Sequence, residues 1–293
     1  MLITLVLLVK LCSMVSSKVI TLDLDPDTIS DESKLEIVDA PYIVSIHNTF
    51  AGNDKEKVCT GFLIDPHWIL TSAQCFDGGK VMKTLIKFAI NDYSLNTTNV
   101  AESKTIIKHP FYNNRSLVND LTLIKVKFPI WYAKKVIYIM ADEYGLKWKQ
   151  NILEERKCLA IGYGKTNDDD TLLYVKKLIV RYDPRGCGCF ATNTELLCGT
   201  PVPAALCFND HGGPLICNGR LVGVANKLLE CGPKRSYSCG EEFYNRYTNL
   251  CAYFQWISDY VDTFPMKCFS YRDALLSSSI HPIIPAIYLI LVA

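Results

Sequence analysis

The chain is poor in the features that mark many functional classes. Its 31 basic and 30 acidic residues leave a net charge of +1, and no run of five like charges occurs. That gives no basic face for nucleic acid or for an acidic membrane surface. No apolar run is long enough to span a bilayer: the last one, residues 283–293, would cover about 16 Å as a helix, roughly half a membrane core. No internal repeat is strong enough to suggest a solenoid or propeller. What remains is an ordinary globular composition, 49% hydrophobic and 21% charged over 293 residues. Such a chain suits one large all-β unit or two small domains.

Cysteine is abundant. Residues 1–17, apolar over 1–9 and offering Val15-Ser16-Ser17 as a cleavage site, read as a signal peptide, and Cys12, one of 13 cysteines, lies in it. Removing it leaves 12, an even set that reads as a disulfide framework in an exported chain. Two sequons, Asn96-Thr97-Thr98 and Asn114-Arg115-Ser116, are glycosylation candidates on the same route. Residues 18–39 form an acidic leader, read as solvated. Near the other end, Ser277, Ser278 and Ser279 precede the final apolar run. That pattern makes a glycolipid-anchor signal one reading of the tail at 264–293, and a packed hydrophobic terminus the other.

Between these ends, short apolar runs alternate with turn residues. Tyr42-Ile43-Val44-Ser45-Ile46, Leu121-Thr122-Leu123-Ile124-Lys125-Val126 and Leu221-Val222-Gly223-Val224 are examples. This spacing predicts many antiparallel strands in barrels or sandwiches. Phe254, Ile257 and Val261 recur at helical spacing and predict a closing helix at about 252–262.

Three segments carry a specific resemblance. Cys59-Thr-Gly-Phe-Leu-Ile-Asp-Pro-His-Trp-Ile-Leu-Thr-Ser-Ala-Gln-Cys75 is similar to the segment presenting the catalytic histidine of trypsin-like serine proteases. Asn119-Asp120 with the strand to Val126 resembles the catalytic-aspartate strand. Cys207-Phe-Asn-Asp-His-Gly-Gly-Pro-Leu-Ile-Cys217 resembles the nucleophile loop. Ile107 to Asn113, Gly162-Tyr163-Gly164, Tyr247-Thr248 and Trp256-Ile257 fit the same family in order. The resemblance implies an all-β fold of two antiparallel Greek-key β-barrels with a C-terminal α-helix. The homology domain would cover 40–263, with barrels at about 40–140 and 141–251.

The departures from the family point away from catalysis. Triad chemistry needs a nucleophile, a base and a carboxylate that orients the base. Gln74 stands at the base position, and a carboxamide has no usable pKa near neutrality. His211 stands at the nucleophile position, and only the carboxylate, Asp120, is retained. Asn209 replaces the oxyanion-loop glycine. Ala205 maps to the pocket base, and Leu228 and Asn245 replace wall glycines, which obstructs the pocket. Loss of a triad member lowers turnover by about 10⁴ to 10⁶. The activation site is altered too, since Glu36-Ile37-Val38-Asp39 has no basic residue before the bond. Asp210, which pairs with the new amine in cleaved relatives, is expected to bond within its own loop.

By the same resemblance the disulfides are Cys59–Cys75, Cys158–Cys217, Cys207–Cys231, and Cys198 with Cys187 or Cys189. Cys239, Cys251 and Cys268 are left without an assigned partner. His211, Asp120 and Asp210 have zinc-suited chemistry but too few ligands to make a metal site. Cys187-Gly188-Cys189 reads as structural rather than redox-active. No cofactor is expected. The function implied is that of an inactive, secreted serine protease homologue, of the kind found in arthropod haemolymph and seminal fluid. It would act as a cofactor, decoy or adaptor toward a protease, an inhibitor or a receptor. The alternatives are an atypical endopeptidase using His211 or Ser72, and a membrane-anchored surface protein.

Overall fold

The computed structural model describes residues 24, 26–29, 32–131, 155–164, 171–181, 187–188, 195–202, 206–229 and 243–263. The signal segment, the tail at 264–293, Ala205, Cys189, Cys231, Cys239 and Cys268 lie outside the described residues.

The first barrel comprises β2 (Ile43–Phe50), β3 (Asn53–Asp65), β4 (Trp68–Thr71), β5 (Val81–Phe88), β6 (Val100–Lys108) and β7 (Thr122–Val126). These close in the order β2-β3-β4-β7-β6-β5, with β5 pairing back onto β2. Closure removes the exposed edges that an open sheet of this length would present. The barrel is filled by Ile43, Ile46, Phe62, Leu63, Ile69, Leu70, Ile86 and Leu123, all fully buried. Tight turns follow the sequence: Gly52 takes φ +75° between β2 and β3, and the Asp65 carboxylate accepts the His67 N–H at 2.8 Å between β3 and β4.

The second barrel comprises β8 (Glu155–Gly162), β9 (Tyr174–Arg181), β10 (Leu196–Val202), β11 (Pro214–Cys217), β12 (Arg220–Leu229) and β13 (Phe243–Asn249). Its order is β9-β10-β13-β12-β11-β8, closed by β8 on β9. Asn218 and Gly219, at φ +53° and +69°, form the two-residue turn between β11 and β12. Two successive positive φ values match the hairpin twist, and Asn-Gly adopts them readily. A 3₁₀ turn at Leu250–Tyr253 leads into α1 (Phe254–Ser258), a single α-helical turn that is shorter than its periodicity suggests. Phe254 and Ile257 are buried, and the Tyr253 and Trp256 rings meet His109 of the first barrel at 5.2 and 4.9 Å.

One expectation changes in part, and one open alternative closes. The leader is solvated only in part: Glu32–Lys34 form β1, antiparallel to β9, with Glu32 opposite Lys176, while Asp27, Thr28, Lys34, Glu36, Val38 and Asp39 are exposed. Leu35 and Ile37 follow it into the core. The acidic composition concealed these two apolar anchors, which gain more from burial than the chain loses in freedom. The disulfide alternative is also settled, because Cys198 bonds Cys187. Cys59–Cys75 and Cys158–Cys217 are formed as well. Cys207 and Cys251 are each disulfide-bonded to partners outside the described residues. Disulfides in this number fit an oxidising, extracellular setting.

Candidate functional site

The boundary between the barrels collects residues that are far apart in sequence. Gln74 lies in the 3₁₀ turn Ala73–Phe76 that follows β4, and Asp120 lies two residues before β7. Gln74 donates its backbone N–H to Asp120 Oδ1 at 2.8 Å, and its Nε2 to Asp120 Oδ2 at 2.6 Å. The same Nε2 donates to the carbonyl of Asn226, on β12, at 2.5 Å. Asn226 returns a side-chain N–H to Asp120 Oδ2 at 3.0 Å and donates to the Leu117 carbonyl at 2.9 Å. Arg246, from β13, donates Nε to Asn226 Oδ1 at 2.6 Å and a terminal nitrogen to the Ser116 carbonyl at 3.0 Å. Gln74, Asp120, Asn226 and Arg246 therefore form one network bridging both barrels. Leu117, at φ +55°, turns its carbonyl into this network in a conformation unusual for a non-glycine residue.

Asp120 is fully buried. Burial pushes its carboxyl up to about 7, and the Gln74 and Ala73 donors, which favour the charged form, counter this only in part. The group that receives a proton-relay imidazole in triad enzymes is here bonded to a neutral amide.

His211 closes the 3₁₀ turn Phe208–Asp210 and is half-buried. Its carbonyl accepts the Thr60 N–H at 3.1 Å. Asn209 keeps a negative φ within the turn, its carbonyl accepts the Thr60 hydroxyl at 2.7 Å, and its amide donates to the Tyr93 hydroxyl at 2.9 Å. Gly212 does need its lack of a side chain. It sits at φ +87°, where a Cβ would strike Thr71 Oγ1 and the Thr60 carbonyl.

Asp210 accepts the expected local bond, from Cys207 N–H at 2.9 Å, and beyond it Oδ2 meets the Lys176 ammonium at 2.7 Å and Oδ1 accepts Gly164 N–H at 2.7 Å. Both ion-pair side chains are 3% exposed. Sequence reasoning assigned no role to Lys176, Arg246, Thr60 or Tyr93. Thr60 lies inside the first family-like segment, but a threonine there carries no signal of the clamp it forms.

Asn245, expected at the pocket wall, is fully buried, with Oδ1 accepting the Leu206 N–H at 2.8 Å. Leu228 is half-buried opposite it in the β12–β13 register. Asp120 and Asp210 belong to separate networks, and among the described residues no three His, Cys, Asp or Glu side chains converge as a metal-holding group. Ser72 is fully buried, its hydroxyl 3.0 Å from the Cys75 sulfur. Asn96 and Asn114 lie on exposed loops.

Comparison with known proteins matches this architecture. Cationic trypsin-3 of Rattus norvegicus is 27% identical over 253 residues, covering 82% of this chain and 92% of that protein. Trypsin of Sus scrofa is 25% identical over 232 residues, covering 74% and 88%. The solved structure of HL collagenase aligns with a TM-score of 0.64 at 21% identity, covering 79% of this chain and 97% of the other. The trypsin family model matches residues 29–257, most of the chain, and so the protein belongs to the trypsin family.

Proposed function

We propose that this chain is a secreted, non-catalytic member of the trypsin family that acts by binding an extracellular protein partner: a protease, an inhibitor or a receptor. One observation carries the reading. The amide of Gln74, standing where the family has its base, is bonded at once to Asp120 and to the Asn226 carbonyl. An amide donating both of its protons cannot accept one from a nucleophile. His211 adds a second loss, because imidazole does not form the usual stable acyl ester.

The same bond favours a cofactor or adaptor over a decoy. By resemblance, the strand at Asn226-Lys227-Leu228 is the one that pairs with an extended substrate. Its first carbonyl already accepts the Gln74 amide, so a substrate-like peptide must displace an internal bond to pair there. Ser72 does not support an alternative nucleophile, since it is sealed beneath the Cys59–Cys75 disulfide turn. Exposed Asn96 and Asn114 suit N-glycosylation on the export route.

The test is turnover. Purified protein, freed of contaminating hydrolases, is incubated with a broad peptide library. No multiple-turnover cleavage is expected. Cleavage that disappears on His211→Ala would overturn the reading. Affinity capture from extracellular fluid, followed by mass spectrometry, is expected to return one recurrent protein partner.

A further inference from the structure

Lys176 and Asp210 form an ion pair inside the second barrel that the cleft network does not involve. The ammonium projects from β9, and its nitrogen lies 2.7 Å from Asp210 Oδ2 and 3.8 Å from a carboxylate oxygen of Glu32 on β1. Asp210 is the organising residue of the loop 207–213. Its carboxylate accepts N–H groups from Cys207 at 2.9 Å and Gly164 at 2.7 Å, and its carbonyl accepts Gly213 N–H at 2.9 Å. A carboxylate this deeply buried is stable only when a positive charge and fixed donors compensate it, and here the charge comes from Lys176.

The chain that covers this pair is continuous. β1 lies along β9 with Glu32 directly opposite Lys176. Leu35 N–H then bonds the Leu173 carbonyl at 2.9 Å, and Ile37 N–H bonds Asn91 Oδ1 at 2.6 Å. The Glu36 carboxylate also accepts the Asn91 amide. The Glu36–Ile37 bond therefore sits within a segment anchored on both sides by buried side chains.

We infer that Lys176 is the positioning residue of the 207–213 loop, and that it acts in the uncut chain. The charge that orders the loop belongs to an internal side chain, so no new N-terminus is needed. The leader strand is a permanent wall of the second barrel, and removing it would uncover the ion pair. This goes beyond the proposed lack of catalysis, because it concerns how the loop is held rather than what it does.

The experiment uses the full-length secreted protein and three variants: Lys176→Met, Lys176→Arg and the double variant Lys176→Met/Asp210→Asn. Hydrogen exchange is followed at the Gly164 and Cys207 amides. Lys176→Met strands a buried carboxylate and should speed exchange at both amides by about 100-fold or more. Lys176→Arg, which keeps the charge, should stay within about tenfold of wild type. The double variant has no stranded charge and should regain most of the protection. If Lys176→Met does not fold, recovery of folded protein in the double variant carries the test. Unchanged protection in Lys176→Met, or a double variant no better than the single one, overturns the inference. N-terminal sequencing of the mature protein gives an independent check: a start upstream of Glu32 is expected, and a start at Ile37 overturns it.

Discussion

Gln74 meets Asp120 twice, through its backbone N–H at 2.8 Å and its side-chain Nε2 at 2.6 Å. A turn backbone and its own side chain thus grip both oxygens of a single buried carboxylate. An amide can hold the carboxylate but cannot shuttle its proton, which is the ground on which the proposed function rests.

The first prediction concerns pH. The Asp120 carboxyl is raised from 3.8 to about 7 by burial. Below the lower value it is protonated in both folded and unfolded chains. Between the two values the unfolded chain releases a proton that the folded chain retains, so stability falls as pH rises and levels off above about 7. The loss from this group is on the order of 4 kcal/mol. His47, held below 6.5 by burial despite its bond to Glu56, works in the opposite direction as pH falls. Comparison with Asp120→Asn isolates the first effect. Urea unfolding from pH 4 to pH 7 should show wild type losing stability relative to the variant, and parallel curves would refute the assignment.

Restoring the two missing side chains should not restore an enzyme. Gln74→His/His211→Ser supplies a base and a nucleophile, but Asn209 stays in its 3₁₀ turn with its carbonyl on Thr60, and Asn245 still fills the pocket wall. Fluorogenic peptide turnover should remain within about tenfold of background, since oxyanion donors contribute on the order of 10²–10³ and require fixed aim. Trypsin-like rates in this variant would mean that the cleft is otherwise competent.

Asn245→Gly tests the pocket wall. The substitution removes the acceptor of the buried Leu206 N–H. An orphaned buried donor costs about 1–3 kcal/mol, added to the flexibility glycine brings to a strand. Chemical denaturation should show a loss in this range, and an unchanged midpoint would mean that the bond contributes nothing.

Gly164→Ala probes the floor beneath the nucleophile loop. A Cβ at Gly164 would overlap the Asp210 carboxylate, which cannot retreat without leaving Lys176. Overpacking of this kind costs about 1–3 kcal/mol. The thermal midpoint should fall, whereas Gly52→Ala, which meets no atom within 4 Å, should register only the strain of its positive φ.

Much of this was legible because it is local or positional. Asn218-Gly219 announces a hairpin through backbone preference alone, and the cysteine-framed segments announce the fold through their order. Gln74 and His211 stand out once the family positions are aligned. The partners of those positions were not legible. Arg246 reaches Asn226 across 20 residues, and Lys176 reaches Asp210 across 34. Nothing in the sequence distinguishes either cation from the other 30 basic residues. The leader's charges dominate its composition and Glu36 and Asp39 stay exposed, whereas Leu35 and Ile37 decide where it is anchored.

The sequence by itself determined the strand pattern, the disulfide-rich character, and the presence of Gln74 and His211 in the family-like segments where the proposed function places a lost base and nucleophile. Those properties depend on residue type and spacing. Only the tertiary structure decided that Gln74 bonds the Asn226 carbonyl, that Cys187 rather than Cys189 bonds Cys198, and that Lys176 pairs with Asp210. Such pairings depend on distances of a few ångströms between segments brought together by barrel closure, and no local preference encodes them.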